Sequence, residues 1–195
     1  LTDDDRTVIG NTTPKFSGGF GLNATFKGFD VSAFFNFMYD FDVFNANKVM
    51  MTTWASNNYN NFSMDISAAK RWRNFDDMGN EIRYSPEILA EFNKNATMWN
   101  PTSIGRPIAM SYAVEDGSFL RLNTATIGYT LPRAWTNKVG LSRVRFYASG
   151  YNLFTITGYS GYDPEVDIAT GLTPNIDNNR YPRSRTYTFG VQLTF

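Results

Sequence analysis

Apolar and polar residues alternate along five segments of the chain, and a period of two residues predicts β-strands. The last segment is the clearest, because Tyr187, Phe189 and Val191 share one face while Thr188 and Gln192 share the other. The five predicted strands lie near residues 15–26, 29–41, 119–131, 143–154 and 186–195. The pattern therefore indicates an all-β fold of antiparallel strands, each with one apolar and one polar face.

The third segment departs from strict alternation. Leu120 and Leu122 begin on one parity, whereas Ala125 and Ile127 continue on the other, so the phase changes near Asn123. An extra residue in one strand of a pair produces such a change of phase. We predict a single strand that carries a β-bulge at this position.

The lengths of the connections help to distinguish two all-β architectures. The first and third connections, residues 27–28 and 132–142, are short, whereas residues 42–118 and 155–185 form long connections. This alternation is typical of outer-membrane barrels, and loops longer than about 15 residues are uncommon in compact soluble domains. A transmembrane β-barrel with long extracellular loops is therefore favoured. The alternative is a soluble carbohydrate-binding β-sandwich, whose core also excludes charges from one face of each strand.

Charged residues in the predicted strands agree with either architecture, because all of them fall opposite the apolar face. A Lys or Arg that faces lipid at mid-bilayer costs roughly 2–4 kcal/mol, whereas one that faces a wet lumen costs little. The residues concerned are Lys15, Asp30, Asp40, Arg121, Arg143 and Arg145.

The long connections contain helix signals and a concentration of aromatic residues. Ser85, Pro86 and Glu87 predict the start of a short helix, since they supply a cap, a Pro at the first helical position and an early acid. Residues 63–72 are expected to form a second short helix. The aromatic side chains either contact a sugar or peptide ligand or pack the loop onto itself or onto a partner protein.

Composition excludes several functions. Lys plus Arg and Asp plus Glu both number 18, so the net charge is zero and no field attracts nucleic acid. The chain has no Cys and no His, which excludes disulfides, thiolate metal sites and His-dependent nucleophilic catalysis. The acidic pair Asp76 and Asp77 lies in a polar loop without sign of burial, so we expect no enzyme. An outer-membrane barrel enzyme is a third, disfavoured hypothesis.

Several segments carry a resemblance to one known family. Residues 8–20, VIGNTTPKFSGGF, and residues 117–122, GSFLRL, resemble motifs of the SusC/RagA-type TonB-dependent transporters of Bacteroidetes. Residues 127–132, IGYTLP, residues 152–155, NLFT, and residues 159–166, YSGYDPEV, resemble further motifs of the same family, as do residues 181–190, YPRSRTYTFG. Thr12 departs from the usual Pro, and the resemblance is weakest over residues 45–110.

The resemblance implies a 22-stranded barrel with an N-terminal plug in the outer membrane of a Gram-negative bacterium. Such proteins import oligosaccharides or peptides with energy passed on by TonB, beneath a SusD/RagB-like surface lipoprotein that acts as a lid. Five strands cannot close a barrel. Residues 1–195 are therefore expected to be the C-terminal portion of a longer receptor, with the plug, the TonB-binding region and the earlier strands absent from this sequence.

The resemblance also suggests roles for individual residues. Asp5 would occupy the twelfth position of a calcium loop whose first half is absent from the sequence, which implies a structural calcium ion; the alternative is a solvated acidic run. The signal for the barrel-assembly machinery would comprise Tyr187, Phe189, Val191, Leu193 and Phe195. Apart from the resemblance, their places in the long loops suggest contact with the substrate or the lid for Trp54, Tyr59, Trp72, Trp99, Tyr162, Arg180 and Arg183. The alternative for residues 159–166 and the arginines that follow is a structural hairpin tip. Aromatic girdles at the membrane interfaces are expected to include Tyr39, Phe41 and Tyr187.

Overall fold

A computed structural model describes residues 4, 6–54, 61–103, 109–166 and 174–195. The strands in these residues are β1 (Phe16–Phe26), β2 (Phe29–Tyr39), β3 (Asp42–Asn45), β4 (Val114–Asp116), β5 (Phe119–Thr130), β6 (Arg143–Thr157), β7 (Ile176–Asp177) and β8 (Thr186–Thr194). The α-helices are α1 (Ala46–Thr52), α2 (Pro86–Asn93) and α3 (Arg133–Thr136). Single 3₁₀ turns occupy Met64–Ile66, Pro101–Ser103, Ser111–Ala113 and Asn137–Val139. None of the helices in these residues has the length and hydropathy needed to cross a membrane.

The chain divides into two compact units. The sheet unit comprises Leu1–Val43, Glu115–Ile176 and Arg180–Phe195, and it contains the five long strands. The loop unit comprises Phe44–Val114 and Asp177–Asn179, and it contains α1 and α2. The chain passes from one unit to the other within or beside the short strands β3, β4 and β7.

The five long strands form one sheet in the order β1-β2-β5-β6-β8, and every neighbouring pair is antiparallel. Their bounds lie close to those predicted from the alternation. A two-residue turn joins β1 to β2, and both of its residues have positive φ, 47° at Lys27 and 90° at Gly28. Positive φ at both positions matches the twist of a hairpin. A Cβ on Gly28 would lie 2.8 Å from the carbonyl oxygen of Thr130, so the turn requires glycine there.

The predicted bulge in β5 is confirmed by both of its neighbours. On the β2 side the register shifts between Phe34 and Phe35, and on the β6 side it shifts between Leu122 and Thr124, so Asn123 is unpaired on both sides. Strand β6 has a matching irregularity, which the alternation did not reveal, because Asn152 adopts a left-handed φ of 52°. The apolar residues before and after the bulge consequently stay on the same face of the sheet.

The apolar face of this sheet is exposed along all five strands. Its exposed members are Phe16, Phe20, Leu22, Phe26, Phe29, Val31, Ile127, Phe146, Phe154, Ile156, Tyr187, Phe189, Val191 and Leu193. Phe189 is 79% exposed, although it lies in the interior of β8 with neighbours paired on β6. The described residues thus provide no second layer that would bury this face.

The polar face carries an ion pair that reaches across a strand. Arg145 of β6 donates from Nε to Asp30 Oδ1 of β2 at 2.9 Å, and its Nη2 donates to the second carboxylate oxygen. Gly128 of β5 pairs with Asp30 of β2 and with Tyr147 of β6, two residues from Arg145, and a Cβ at Gly128 would meet Arg145 Nη2 at 2.5 Å and Asp30 Oδ1 at 2.6 Å. Gly190 on β8 leaves similar room for the ring of Tyr147. The two glycines therefore allow large side chains to lie flat across the sheet.

The core of the sheet unit is small and lies at one end of the sheet. It consists of Phe41, Val43, Phe119, Tyr159 and Val166, with Met38 packed against them. The prediction that β2 extends to residue 41 with Phe41 in an interfacial girdle is wrong. Strand β2 ends at Tyr39, Asp40 adopts a φ of 59°, and the turn directs Phe41 inward, where it is only 3% exposed.

The two helix predictions for the loop unit had different outcomes. Helix α2 begins at Pro86 with Ser85 at the N-cap, which confirms the first. The helix expected over residues 63–72 is reduced to the 3₁₀ turn Met64–Ile66. The backbone N–H of Trp72 donates to the carbonyl of Met98 at 2.7 Å, and the N–H of Met98 donates to the carbonyl of Lys70 at 2.9 Å. This β-type pairing uses the groups that a helix would need.

Substitution of Gly128 by Ala tests the arrangement on the polar face. The added Cβ would displace the Arg145–Asp30 pair, and because the atoms it meets are the ends of flexible side chains, we expect a cost near the lower end of the range for overpacking, about 1 kcal/mol. We expect the Gly128→Ala receptor in detergent to unfold at a lower temperature than the parent. Gly158→Ala is the matched control, because a Cβ at Gly158 meets nothing within 4 Å. Equal melting temperatures for the two variants would contradict the proposed role of Gly128.

Candidate functional site: an arginine-lined cleft beside strand β5

The loop formed by residues 159–166 is held against β5 by a buried ion cluster. Arg121 of β5 has a side chain only 3% exposed, and its Nη2 donates to Asp163 Oδ1 at 2.5 Å. Its Nε lies 3.5 Å from Glu165 Oε2, and Arg183 Nη2 donates to Glu165 Oε1 at 2.6 Å. Arg121 therefore lies between the two carboxylates, and Glu165 lies between the two arginines.

The Asp163 carboxylate has further donors. It accepts from the backbone N–H of Glu165 at 2.9 Å and from the backbone N–H of Arg183 at 3.4 Å. Burial opposes the ionisation of this carboxyl, but the hydrogen bonds from Arg121 and from the backbone outweigh that effect and hold the pKa of Asp163 below its ordinary value. Asp163 is thus ionised at neutral pH and fixes the loop to β5.

The cluster leaves some hydrogen-bonding capacity unused. Within the described residues, the buried atoms Arg121 Nε and Glu165 Oε2 have no hydrogen-bond partner, and neither does Asn152 Oδ1. Removing one member of a buried ion pair costs more than replacing both, because the remaining charge is uncompensated. The cluster therefore makes the position of the 159–166 loop depend strongly on Arg121.

A cleft of about 520 Å³ lies beside the cluster in the sheet unit. Its wall includes Arg121 and Asp163 from the cluster, and Arg183 and Arg185 from the segment that leads into β8. Tyr162 also lines it, with a side chain 84% exposed. Of the residues predicted to contact substrate or lid, Tyr162 and Arg183 therefore meet at one cleft. Arg180 is exposed a few residues before Arg183.

The predicted aromatic contacts Trp54, Trp72 and Trp99 belong to the loop unit. Trp99 Nε1 donates to the carbonyl of Thr52 at 3.0 Å, and its ring meets Tyr112 edge-on at 5.1 Å, so Trp99 packs the loop onto itself. Trp54 stacks on Phe62 at 5.7 Å and remains 49% exposed, and Trp72 is 41% exposed. Their contact with a ligand or lid stays a prediction, and Tyr59 lies outside the described residues.

The structure offers no support for a metal centre in the part of the chain that it describes. In those residues, no group of three or more His, Cys, Asp or Glu side chains is arranged to hold a metal ion. Asp5 lies outside them. The calcium site consequently stays a prediction.

The participation of Arg121 in this cluster could not be predicted from the sequence, which indicates only a charge opposite the apolar face. Its partner Asp163 is 42 residues away in the sequence. The parity of Arg121 was the available signal, since it places the side chain on the polar face of β5. No local pattern indicates which loop covers that face.

Comparisons with known proteins agree with the segments that carry the family resemblance. The chain is 32% identical to "TonB-dependent receptor P3" of Formosa agariphila over its full length, which is 18% of that receptor. It is 32% identical to "TonB-dependent receptor SusC" of Bacteroides thetaiotaomicron over 77% of the chain and 15% of the relative. No protein-family model matches the chain.

Solved structures give the same result for the fold. The chain matches the structure of the RagAB peptide transporter with a TM-score of 0.75 and 26% identity. It matches the RagAB peptide importer in the closed-closed state with a TM-score of 0.73 and 25% identity, and each match covers the whole chain and 19% of the solved chain. The resemblance to SusC/RagA-type TonB-dependent receptors is confirmed. The chain spans less than a fifth of the length of these SusC/RagA-type relatives.

A double-mutant cycle tests the cluster. Arg121→Met is expected to release the 159–166 loop, because breaking a buried pair costs about 3–5 kcal/mol, whereas replacing both partners by apolar groups is often close to neutral. Hydrogen exchange of this loop in the full-length receptor should rise strongly in Arg121→Met and less in Arg121→Met/Asp163→Leu. The control is Arg143→Met, since Arg143 donates to the hydroxyl of Thr130 on the same face. Unchanged exchange of the 159–166 loop in Arg121→Met would contradict its dependence on the ion cluster.

The lowered pKa of Asp163 predicts a pH dependence with a definite sign. Ionised Asp163 stabilises the folded loop fully above the ordinary pKa of an aspartate, about 4, and this contribution is lost as pH falls through the lowered value. Protection of the loop amides, corrected for intrinsic exchange, should be equal at pH 7 and pH 5 and should fall only below about pH 4. Asp163→Asn should lack this step. A loss of protection near pH 6 would exclude Asp163 as its cause.

Proposed function

We propose that this chain forms part of the barrel wall of an outer-membrane importer of large nutrients, namely oligosaccharides or peptides. The observation that carries the proposal is the exposed apolar face of the five-stranded sheet. A soluble monomer rarely exposes such a continuous apolar area, whereas a barrel strand needs an outward apolar band that contacts lipid. The polar face, with its ion pairs and its cleft, would then line the interior of the barrel.

The soluble β-sandwich is the competing interpretation. It would require a second sheet packed on the apolar face at a distance of about 10 Å, but that face is exposed in the described part of the chain. The relatives named above are receptors and an importer rather than soluble binding proteins or enzymes. We therefore assign this chain no catalytic role.

The edges of the sheet indicate how the chain fits into a longer receptor. Strands β1 and β8 are the edge strands of the sheet, and exposed edges promote aggregation. In the proposal, further strands of the parent receptor pair with them and complete the 22-stranded barrel that the family resemblance implies. The small share of each relative's length that the chain covers is consistent with this arrangement.

The partners belong to the proposal as well. A SusD/RagB-like surface lipoprotein would cover the importer, and TonB would supply energy through a region outside this sequence. The solved relatives are described as a peptide importer and transporter. The assembly signal that ends at Phe195 stays a prediction.

A charge placed on each face of β8 tests the orientation of the sheet. Phe189→Arg would place a guanidinium in lipid and destabilise the barrel by about 2–4 kcal/mol if it lies near mid-bilayer, whereas Thr188→Arg would face the wet interior at little cost. We expect much less folded Phe189→Arg receptor in outer-membrane fractions, measured as the heat-modifiable band on unheated gels. Thr188→Arg should resemble the parent.

Two results would contradict the proposed function. One is that Phe189→Arg and Thr188→Arg fold equally well, because the two faces would then not differ in their surroundings. The other is that the native protein fractionates without detergent into the soluble portion of the cell. The sandwich hypothesis would then be tested directly with sugars.

A further inference from the structure

The three arginines that line the cleft differ in burial and in whether they form ion pairs with carboxylates. Arg121 is buried and paired with Asp163, and Arg183 is 45% exposed and donates to Glu165. Arg185 is exposed, and no ion pair or hydrogen bond of its side chain is found among the residues that the structure describes. Arg185 is thus the guanidinium of this cleft that is available to a ligand.

The carboxylates beside the cleft do not offset this charge at its mouth. The side chains of Asp163 and Glu165 are only 12% and 16% exposed, and both are turned toward Arg121 and Arg183. Arg121 is shielded from solvent as well, so the charges exposed at the cleft are those of Arg183 and Arg185. A ligand that enters the cleft meets a net positive charge on its exposed side.

Tyr162 supplies a second kind of contact. Its side chain is 84% exposed although it lines the cleft, so its ring is available to pack against a flat or ring-shaped ligand group. The cleft volume of about 520 Å³ lies within the range usual for small-molecule sites, about 300–1,000 Å³. The cleft can hold a short portion of a longer ligand.

We propose that this cleft binds a carboxylate-bearing ligand, with Arg185 as the anchor of the carboxylate and Tyr162 packed against the adjoining ring or backbone. A guanidinium presents a planar fork of donors that matches the two oxygens of a carboxylate. The inference rests on the proposed import function and specifies its substrate as acidic. Such a carboxylate comes either from a uronate-containing oligosaccharide or from an acidic peptide.

Binding to the purified full-length receptor in detergent tests this proposal. The probes are a galacturonate hexamer with a neutral galactose hexamer, and an Ala/Glu hexapeptide with an Ala/Gln hexapeptide. We expect one acidic probe to bind at least tenfold more tightly than its neutral counterpart, since hydrogen bonds to charged groups are the stronger ones. Its affinity should fall as salt is raised, because the charge of Arg185 is exposed to solvent. The acidic probe that binds identifies the source of the carboxylate.

Variants of the two residues locate the binding to this cleft. Arg185→Gln should weaken binding of the acidic probe about tenfold and leave the neutral probe unchanged, and Arg185→Lys should retain part of the affinity. Arg133→Gln is the control, because Arg133 is also exposed but lies on α3, outside the cleft. Tyr162→Ala should weaken binding, whereas Tyr84→Ala, at an 80% exposed tyrosine of the loop unit, should not.

The results that would overturn the inference differ from those that would overturn the import function. Equal affinities for the acidic and neutral probes would exclude the carboxylate site. So would unchanged binding of the acidic probe to an Arg185→Gln receptor that runs on unheated gels as the folded parent does. Uptake of neutral ligands by cells would leave the import function intact in that case. An acidic probe that binds through Arg185 without being taken up would support the site and contradict import.

Discussion

The register of the antiparallel ladder is the constraint on which the rest of the structure depends. A shift of one residue in a strand moves every side chain to the opposite face. Strand β5 contains such an extra residue at Asn123, and the irregularity at Asn152 in β6 accompanies it, so Leu120 and Ile127 stay on one face. Without this bulge, the apolar side chains from half of β5 would lie among the ion pairs of the polar face.

The separation of faces determines where charge chemistry can occur. On the polar face, glycines at positions 128 and 190 leave space for Arg145 and Tyr147 to lie across neighbouring strands. The Arg145–Asp30 pair thereby spans three strands. Arg121 lies on the same face and is covered by the 159–166 loop. Because lipid would solvate the other face in the proposed importer, ligand contacts from this sheet must come from the polar face and the loops.

The elements that could be predicted from the sequence are those set by local patterns. Alternation locates a long strand because it depends on residues two apart. Pro86 indicates the start of α2 because its fixed φ suits the first helical position, although the side chain of Ser85 at the N-cap makes no capping hydrogen bond. The inward turn of Phe41 follows from the left-handed conformation of Asp40, a residue type that alternation treats only as polar. The helix expected over residues 63–72 was displaced by pairing with Met98, which is distant in the sequence.

The charged residues of the candidate site could likewise be found in the sequence, but their pairing could not. The sequence pointed to Arg121 and Arg183 separately, and to Asp163 only as part of a family motif. Their combination requires the loop after β6 to fold back over β5. In that arrangement both carboxylates are paired with Arg121 or Arg183, and Arg185 remains exposed beside Tyr162. A count of charges in the sequence gives a balanced segment, whereas the structure gives a cleft with buried acids and an exposed base. The ligand preference of such a wall is therefore set by which charges are neutralised inside it, rather than by their total.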